Sequence, residues 1–129
     1  LSSADLSRAY LRNTNLSNVN LSGADLSSTD LSRANLSSAD LRSADLRSAD
    51  LRSAILLTTD LRDYKYLIDK QFTSDDGPLL CNVALPSNIT HIDPNRDCDR
   101  LPKVLSDRYN ISLEEAQRLV DEARQKKRI

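Results

Sequence analysis

Cys81, Cys98 and the lone histidine, His91, lie within one stretch of the second half of the chain, and they are its only thiol and imidazole groups. The two cysteines bound a segment of eighteen residues counted inclusively. Joined, they would close a loop and contribute about 3 kcal/mol on the chain-entropy view. Unjoined, they are the free thiols of a reducing compartment, and spacing alone leaves both readings open. His91 lacks the paired-ligand spacing of a zinc site and reads as a loop histidine. Asp93, Asn95 and Asp97 copy the first, third and fifth positions of a calcium loop. The sixth position is Cys98 instead of Gly and the twelfth Val104 instead of Glu, so the sharp turn and the bidentate closure are both missing. An acidic, solvated loop is the better reading, and no metal is expected.

Nor does the rest of the chain offer catalysis. It has no nucleophile elbow, phosphate loop or zinc signature, and its serines and aspartates recur at fixed intervals as corner and surface residues. No catalytic residue and no cofactor are expected; the protein reads as a non-enzyme.

The positioning element is a strict period. Leucine stands at every fifth position from Leu1 to Leu61, and two residues before each later leucine stands a small residue, Ala, Thr or Val. Residues two apart share a face of an extended segment, so each small residue and its leucine point the same way. Five is odd, so a flat strand would send successive leucines to opposite faces, and a helix would rotate them by roughly 140°. A chain that turns a corner in every unit keeps them together in one interior. Asp or Asn precedes nearly every leucine, with Tyr10 and Ile55 the exceptions, and Ser or Arg mostly follows. Short polar side chains that bond nearby amides suit such corners.

The units Ala-Asp-Leu-Ser-Arg, Ala-Asp-Leu-Arg-Ser and Ala-Asn-Leu-Ser-Ser resemble the pentapeptide-repeat family, whose motif is A(D/N)LXX. The resemblance covers residues 1–62. It implies a right-handed quadrilateral β-helix with four pentapeptides to a coil, hence an all-β solenoid of about three coils and about 15 Å, followed by a small α-helical extension. Residues twenty apart then stack, Asp5 with Asp25 and Asp45. A second resemblance, to cyanobacterial and chloroplast-lumen members with a disulfide-containing C-terminal extension, implies that Cys81 and Cys98 are joined.

Charge narrows the function. Residues 1–62 hold seven Asp and seven Arg, and residues 63–129 twelve acids and eleven bases. Neither part has the basic footprint of a nucleic-acid binder. Some family members mimic DNA against type II topoisomerases with a negative rod; that alternative is disfavoured here because Arg42, Arg47 and Arg52 sit beside the aspartates. No stretch approaches the roughly 20 apolar residues of a membrane span. Leu1 is already in register without an initiator Met, which is consistent with a removed signal peptide.

The register fails at Tyr64, Lys65 and Tyr66, so the division is a solenoid at 1–62 and a C-terminal cap at 63–129. Tyr64, Leu67, Ile68 and Phe72 have helical spacing and are expected over the last coil. Asp76-Gly77-Pro78 reads as a turn. One helix should carry Leu101, Val104, Leu105 and Tyr109 on one face, with Pro102 in its first turn. Ser112 and Glu115 form a capping box, with Ile111 stapled onto Ala116. A second helix then runs to about Gln125, with Leu113, Ala116, Leu119, Val120 and Ala123 as its stripe. Lys126, Lys127 and Arg128 complement its dipole.

These expectations add up to a structural or protein-interaction module. Its candidate contact surface is where outward positions turn apolar, at Tyr10, Ile55 and Leu57, with the tail expected to pack over Ile55 and Leu57. An unidentified protein partner and self-association through the N-terminal β-helix edge are the expected interactions. The cysteines and the missing start point to a thylakoid lumen or periplasm as the expected location, with the cytoplasm as alternative.

Overall fold

The computed structural model describes residues 1–63, 70–87 and 89–125. Each pentapeptide of the first half is one side and one corner of a coil. At a corner the leucine carbonyl accepts a hydrogen bond from the amide three residues on, as from Ala4 to Leu1 at 3.0 Å and from Ala24 to Leu21 at 3.0 Å. The residue two after each leucine, from Ser3 to Asp63, has a φ between 57° and 68°. A positive φ at that place marks a type II turn, a site that favours glycine. Only Gly23 among these corner residues is a glycine. From Ser3 to Ser43, and again at Ser53 and Thr58, the others are held by their own amides, which donate to the next coil, as Ser3 does to the Ser22 carbonyl at 2.9 Å.

Between corners each side makes one parallel bridge to the residue twenty further on, from Asp5 with Asp25 to Asp40 with Asp60. The Leu6 amide donates to the Asp25 carbonyl at 2.8 Å, and the Asp25 amide to the Ala4 carbonyl at 2.9 Å. The coils thus stack with four pentapeptides each. Extended strand is sparse: among the described residues it is confined to β1 (Ile55–Leu57) and β2 (Leu79–Cys81). Corners every five residues leave no room for longer runs.

Leucines and small residues fill the interior, and Leu21 to Leu46 are fully buried. Leu6 and Leu11 are partly covered, and Leu1 is 65% exposed at the open first coil. Two threonines at the small position carry a hydroxyl into this core. Thr29 Oγ1 donates to the Leu6 carbonyl at 2.8 Å and Thr59 Oγ1 to the Leu36 carbonyl at 2.7 Å. Each polar group is satisfied, which burial demands.

The stack continues into the tail with a longer step. β2 pairs in parallel with β1 in the register Ile55 to Leu79, and Ala84 bridges Asp60. Inside, Leu80, Val83, Ile92 and the buried Phe72 of α1 (Lys70–Thr73) close the leucine core. Gln71 Nε2 donates to the carbonyls of Leu46 and Ala49 at 2.8 and 3.0 Å, in place of amides from a further coil. Tyr64, Leu67 and Ile68, expected beside Phe72, lie outside the described residues, as do Lys126, Lys127 and Arg128.

Alternation along β1 and β2 splits the apolar side chains between two cores. Leu56 and Leu80 point inward; Ile55, Leu57, Leu79 and Cys81 point outward into a second cluster with Leu101, Leu105, Ala116 and Val120. Those last four belong to α2 (Leu101–Tyr109) and α3 (Leu113–Arg124), which pack on each other and on the outer face of the stack. Ser112 caps α3 by accepting from the Glu115 amide at 3.0 Å, as its sequence position predicts. Corner residues Thr58 and Asn82 cap its far end, both donating to the Ala123 carbonyl, at 3.1 and 3.0 Å. The stripe of α3 is narrower than its spacing implies: Leu113 and Leu119 are 56% and 41% exposed. Leu113 sits at the first position of the helix and Leu119 on the flank of the stripe. Tyr109, at the end of α2, is also open to solvent.

Candidate interaction surface

The polar groups of the solenoid form a repeated corner unit. The Asp or Asn before each leucine accepts the amide two residues on, as Asp25 does from Ser27 at 3.0 Å. This is an Asx turn. What the following side chain adds depends on its type. A serine hydroxyl donates to the same oxygen, at 2.6 Å in Ser27 and Ser37. An arginine grips the whole carboxylate: Arg42 on Asp40, Arg47 on Asp45, Arg52 on Asp50 and Arg62 on Asp60 each place Nη2 2.7 Å from Oδ2 and Nε near Oδ1. Such two-point pairs are the strong form of the ion pair. The hydrogen bonds from Arg42 and Arg52 hold the Asp40 and Asp50 carboxyls below their ordinary value, against an opposing desolvation.

Tyr10 breaks this unit. It stands where Asp30 and Asp50 stand in the next two coils, bridges Asp30 through its backbone, and is 75% exposed. Arg12, two residues on, therefore has no aspartate of its own; no hydrogen bond or ion pair engages its guanidinium among the described residues, and its charge acts at longer range on Asp50, already gripped by Arg52. Arg12 shares a surface groove of about 340 Å³ with Arg33, Arg52 and Ser53, flanked by Asp30 and Asp76. Arg33 Nε donates to Asn13 Oδ1 at 3.0 Å. Beyond it, Arg108 Nη1 donates to the Ser53 carbonyl at 2.9 Å, and burial, then the nearby Arg33 charge, lowers its pKa.

Of the three candidate contact residues only Tyr10 is open. Ile55 and Leu57 are 0% and 6% exposed, covered by α2 and α3, so the chain's own helices occupy the apolar outer face of β1. Arg12 and Arg33 were not singled out by the sequence. The signal was present in the chain: every other arginine directly after a repeat leucine has aspartate two residues before it.

The tail's chemical groups are spent internally. Cys81 and Cys98 form a disulfide, with 4.9 Å between their Cα atoms, that ties β2 to the segment entering α2. In the loop that copies calcium positions, Asp93 Oδ1 accepts from the Asn95 amide at 2.9 Å and Asn95 Oδ1 from the Asn82 amide at 2.8 Å. Asp97 is buried and accepts from the Leu80 amide, Arg96 and Arg100 at 2.9, 3.1 and 2.9 Å. No group of His, Cys, Asp or Glu side chains among the described residues could hold a metal ion. No helix among them is long and apolar enough to cross a membrane.

The family of pentapeptide repeats matches the chain at residues 1–37 and 29–63. A pentapeptide-repeat protein from Nostoc is similar at 37% identity, over 67% of this chain and 77% of that one, with a TM-score of 0.47. A pentapeptide-repeat protein from the thylakoid lumen of Arabidopsis thaliana is similar at 24% identity, over 81% of this chain and 74% of that one, with a TM-score of 0.26. No curated protein matches the chain.

Proposed function

The chain belongs to the pentapeptide-repeat family, and from that premise we propose that it is a non-catalytic scaffold that presents a protein-interaction surface. Proteins of this family fold as right-handed quadrilateral β-helices, and we assign that winding to the stacked coils, with residues 1–62 as the solenoid and 63–129 as its cap. The observation that carries the functional reading is the exposed Tyr10 at a repeat position that, apart from the buried Ile55, otherwise holds a structural Asp or Asn. From Ser7 to Arg62, each serine or arginine directly after a repeat leucine bonds the Asp or Asn of its own corner, Arg12 apart. Tyr10 makes no corner bond of the kind Asp makes there and is 75% exposed, and an exposed aromatic beside arginine is the composition of interaction hot spots.

The DNA-mimic alternative stays disfavoured. It requires a continuous negative face, and the four arginine grips interrupt the acidic columns. The disulfide supports an oxidising compartment, a thylakoid lumen or periplasm, over the cytoplasm. Self-association through the edge of the first coil belongs to the same reading. The test is affinity capture from a lysate of the source organism with the full chain and with Tyr10→Asp. A partner held by the former and lost by the latter supports the reading; equal capture by both removes Tyr10 from it.

A further inference from the structure

We propose that Tyr10, Arg12 and Arg33 form a docking surface for an acidic segment of a partner protein, whose carboxylate fills the guanidinium that Arg12 holds open. The inference rests on the interaction reading above and names the partner's chemistry.

Four arginines directly after a repeat leucine show what this position binds. Arg42, Arg47, Arg52 and Arg62 each take a carboxylate at two points, and in every case it comes from the residue two before. Arg12 occupies the same place in its corner, and Tyr10 the place of the missing carboxylate. The geometry that directs Asp50 and Arg52 to each other therefore directs the Tyr10 ring and the Arg12 guanidinium to the same patch of solvent. A carboxylate from outside would complete the pair, and the ring offers an apolar face beside it.

The surrounding charge agrees. The corner that carries Arg12, Arg33 and Arg52 holds two acids, Asp30 and Asp50, and Asp50 is already gripped by Arg52. The corner of Arg8 and Arg47 holds three, Asp5, Asp25 and Asp45, and that of Arg42 and Arg62 also three, Asp40, Asp60 and Asp63. The fourth, with Ser17, Ser37 and Leu57, has no charge. Within residues 1–63 only the first has a positive balance; in the next coil the Asp76 carbonyl accepts from the Ser53 amide and Arg108 donates to the Ser53 carbonyl, one acid and one base that leave this balance as it was. Arg33 adds a second guanidinium whose terminal nitrogens have no bond among the described residues, in the same groove as Arg12. Asp30 and Asp76 on the rim keep the surplus small, which suits a short acidic peptide over a nucleic acid, whose binding needs many phosphate contacts.

Fluorescence anisotropy with a labelled peptide of alternating Glu and Gly, at physiological ionic strength, tests this, with the Gln-Gly peptide as control. The full chain should bind the Glu peptide about tenfold more tightly than the Gln peptide, and Arg12→Gln should remove most of that difference. Arg33→Gln should weaken binding several-fold. Tyr10→Asp should abolish the preference as fully as Arg12→Gln, because its own carboxylate would occupy the guanidinium in cis. Arg47→Gln makes the same change of net charge on another corner and should leave binding unchanged; circular dichroism establishes that each variant is folded. The proposal is overturned if Glu and Gln peptides bind equally, if Arg47→Gln weakens binding as much as Arg12→Gln, or if a labelled single-stranded oligodeoxynucleotide is the ligand that depends on Arg12. Tyr10-dependent capture from lysate without acidic-peptide binding would sink this inference and leave the interaction reading standing.

Discussion

Asp97 and Leu80 bond each other twice: the Leu80 amide donates to Asp97 Oδ2, and the Asp97 amide donates to the Leu80 carbonyl, both at 2.9 Å. One acidic residue thereby pairs with β2 through its amide and side chain, draws in Arg96 and Arg100 through its carboxylate, and starts the run into α2 through its carbonyl. Asp97→Ala would strip a buried amide and two guanidinium groups of their acceptor. The expected loss is about 3 kcal/mol, read as a lower urea midpoint, with a smaller loss for Asp97→Asn, which keeps one acceptor.

The disulfide should matter in proportion to the loop it closes. Its cysteines are separated by 17 residues and the cap has little core of its own. Replacing both with alanine should lower stability by about 3 kcal/mol, with the loss concentrated in hydrogen exchange of β2, α2 and α3 and the leucine core less affected.

Acid should loosen the solenoid at its arginine grips. Asp40 and Asp50 have folded-state pKa values below their ordinary 3.8, caused first by the hydrogen bonds from Arg42 and Arg52. A depressed carboxylate stabilises the fold above its unfolded value and loses that contribution as pH falls through the folded one. The urea midpoint should therefore hold from neutral pH to about 5 and fall below about 4. The variant Asp40→Asn, Asp50→Asn should show a shallower acid slope, and an equal slope would refute the assignment.

Corner strain gives a pair of opposite effects. Ser28 has a φ of 57°, and its amide bond to the Arg47 carbonyl would survive replacement. Ser28→Gly should stabilise by about 0.5 kcal/mol, the relief of the left-handed backbone exceeding glycine's added chain entropy. Gly23→Ala should destabilise by about 1 kcal/mol, since φ is 68° and the new Cβ would lie 3.3 Å from Ser3 Oγ. Thermal melts of the two variants should move in opposite directions.

How far the fold was legible depends on whether its causes are local. The period, the small residues beside the leucines, the Ser112 cap and the apolar exceptions Ile55 and Leu57 are stated by neighbours within a few positions, and each shows in the sequence. Gln71 bonding the Leu46 carbonyl, Thr59 bonding that of Leu36 and Asp97 bonding Leu80 join residues 25, 23 and 17 apart. No local pattern announces them, because Gln71 and Asp97 read as surface and Thr59 only as one more small interior residue. The exposure of Leu113 and Leu119 escaped for a related reason: helical spacing defines a stripe but not how far the neighbouring element reaches along it. The open guanidinium of Arg12 became legible only once the corner geometry showed what Asp does for the arginine two residues on.

The central claim is that breaks in the five-residue pattern are attachment points, Ile55 for the chain's own helices and Tyr10 for something outside. Restoring the pattern at each position separates the two. The most direct measurement is the unfolding free energy of Tyr10→Asp and Ile55→Asp by urea titration. Tyr10→Asp should fall within about 0.5 kcal/mol of the parent chain, as surface changes do, whereas Ile55→Asp, burying a carboxylate against Leu101 and Val120, should cost more than about 3 kcal/mol. A Tyr10→Asp chain destabilised as much as Ile55→Asp, or an Ile55→Asp chain as stable as the parent, would contradict the account.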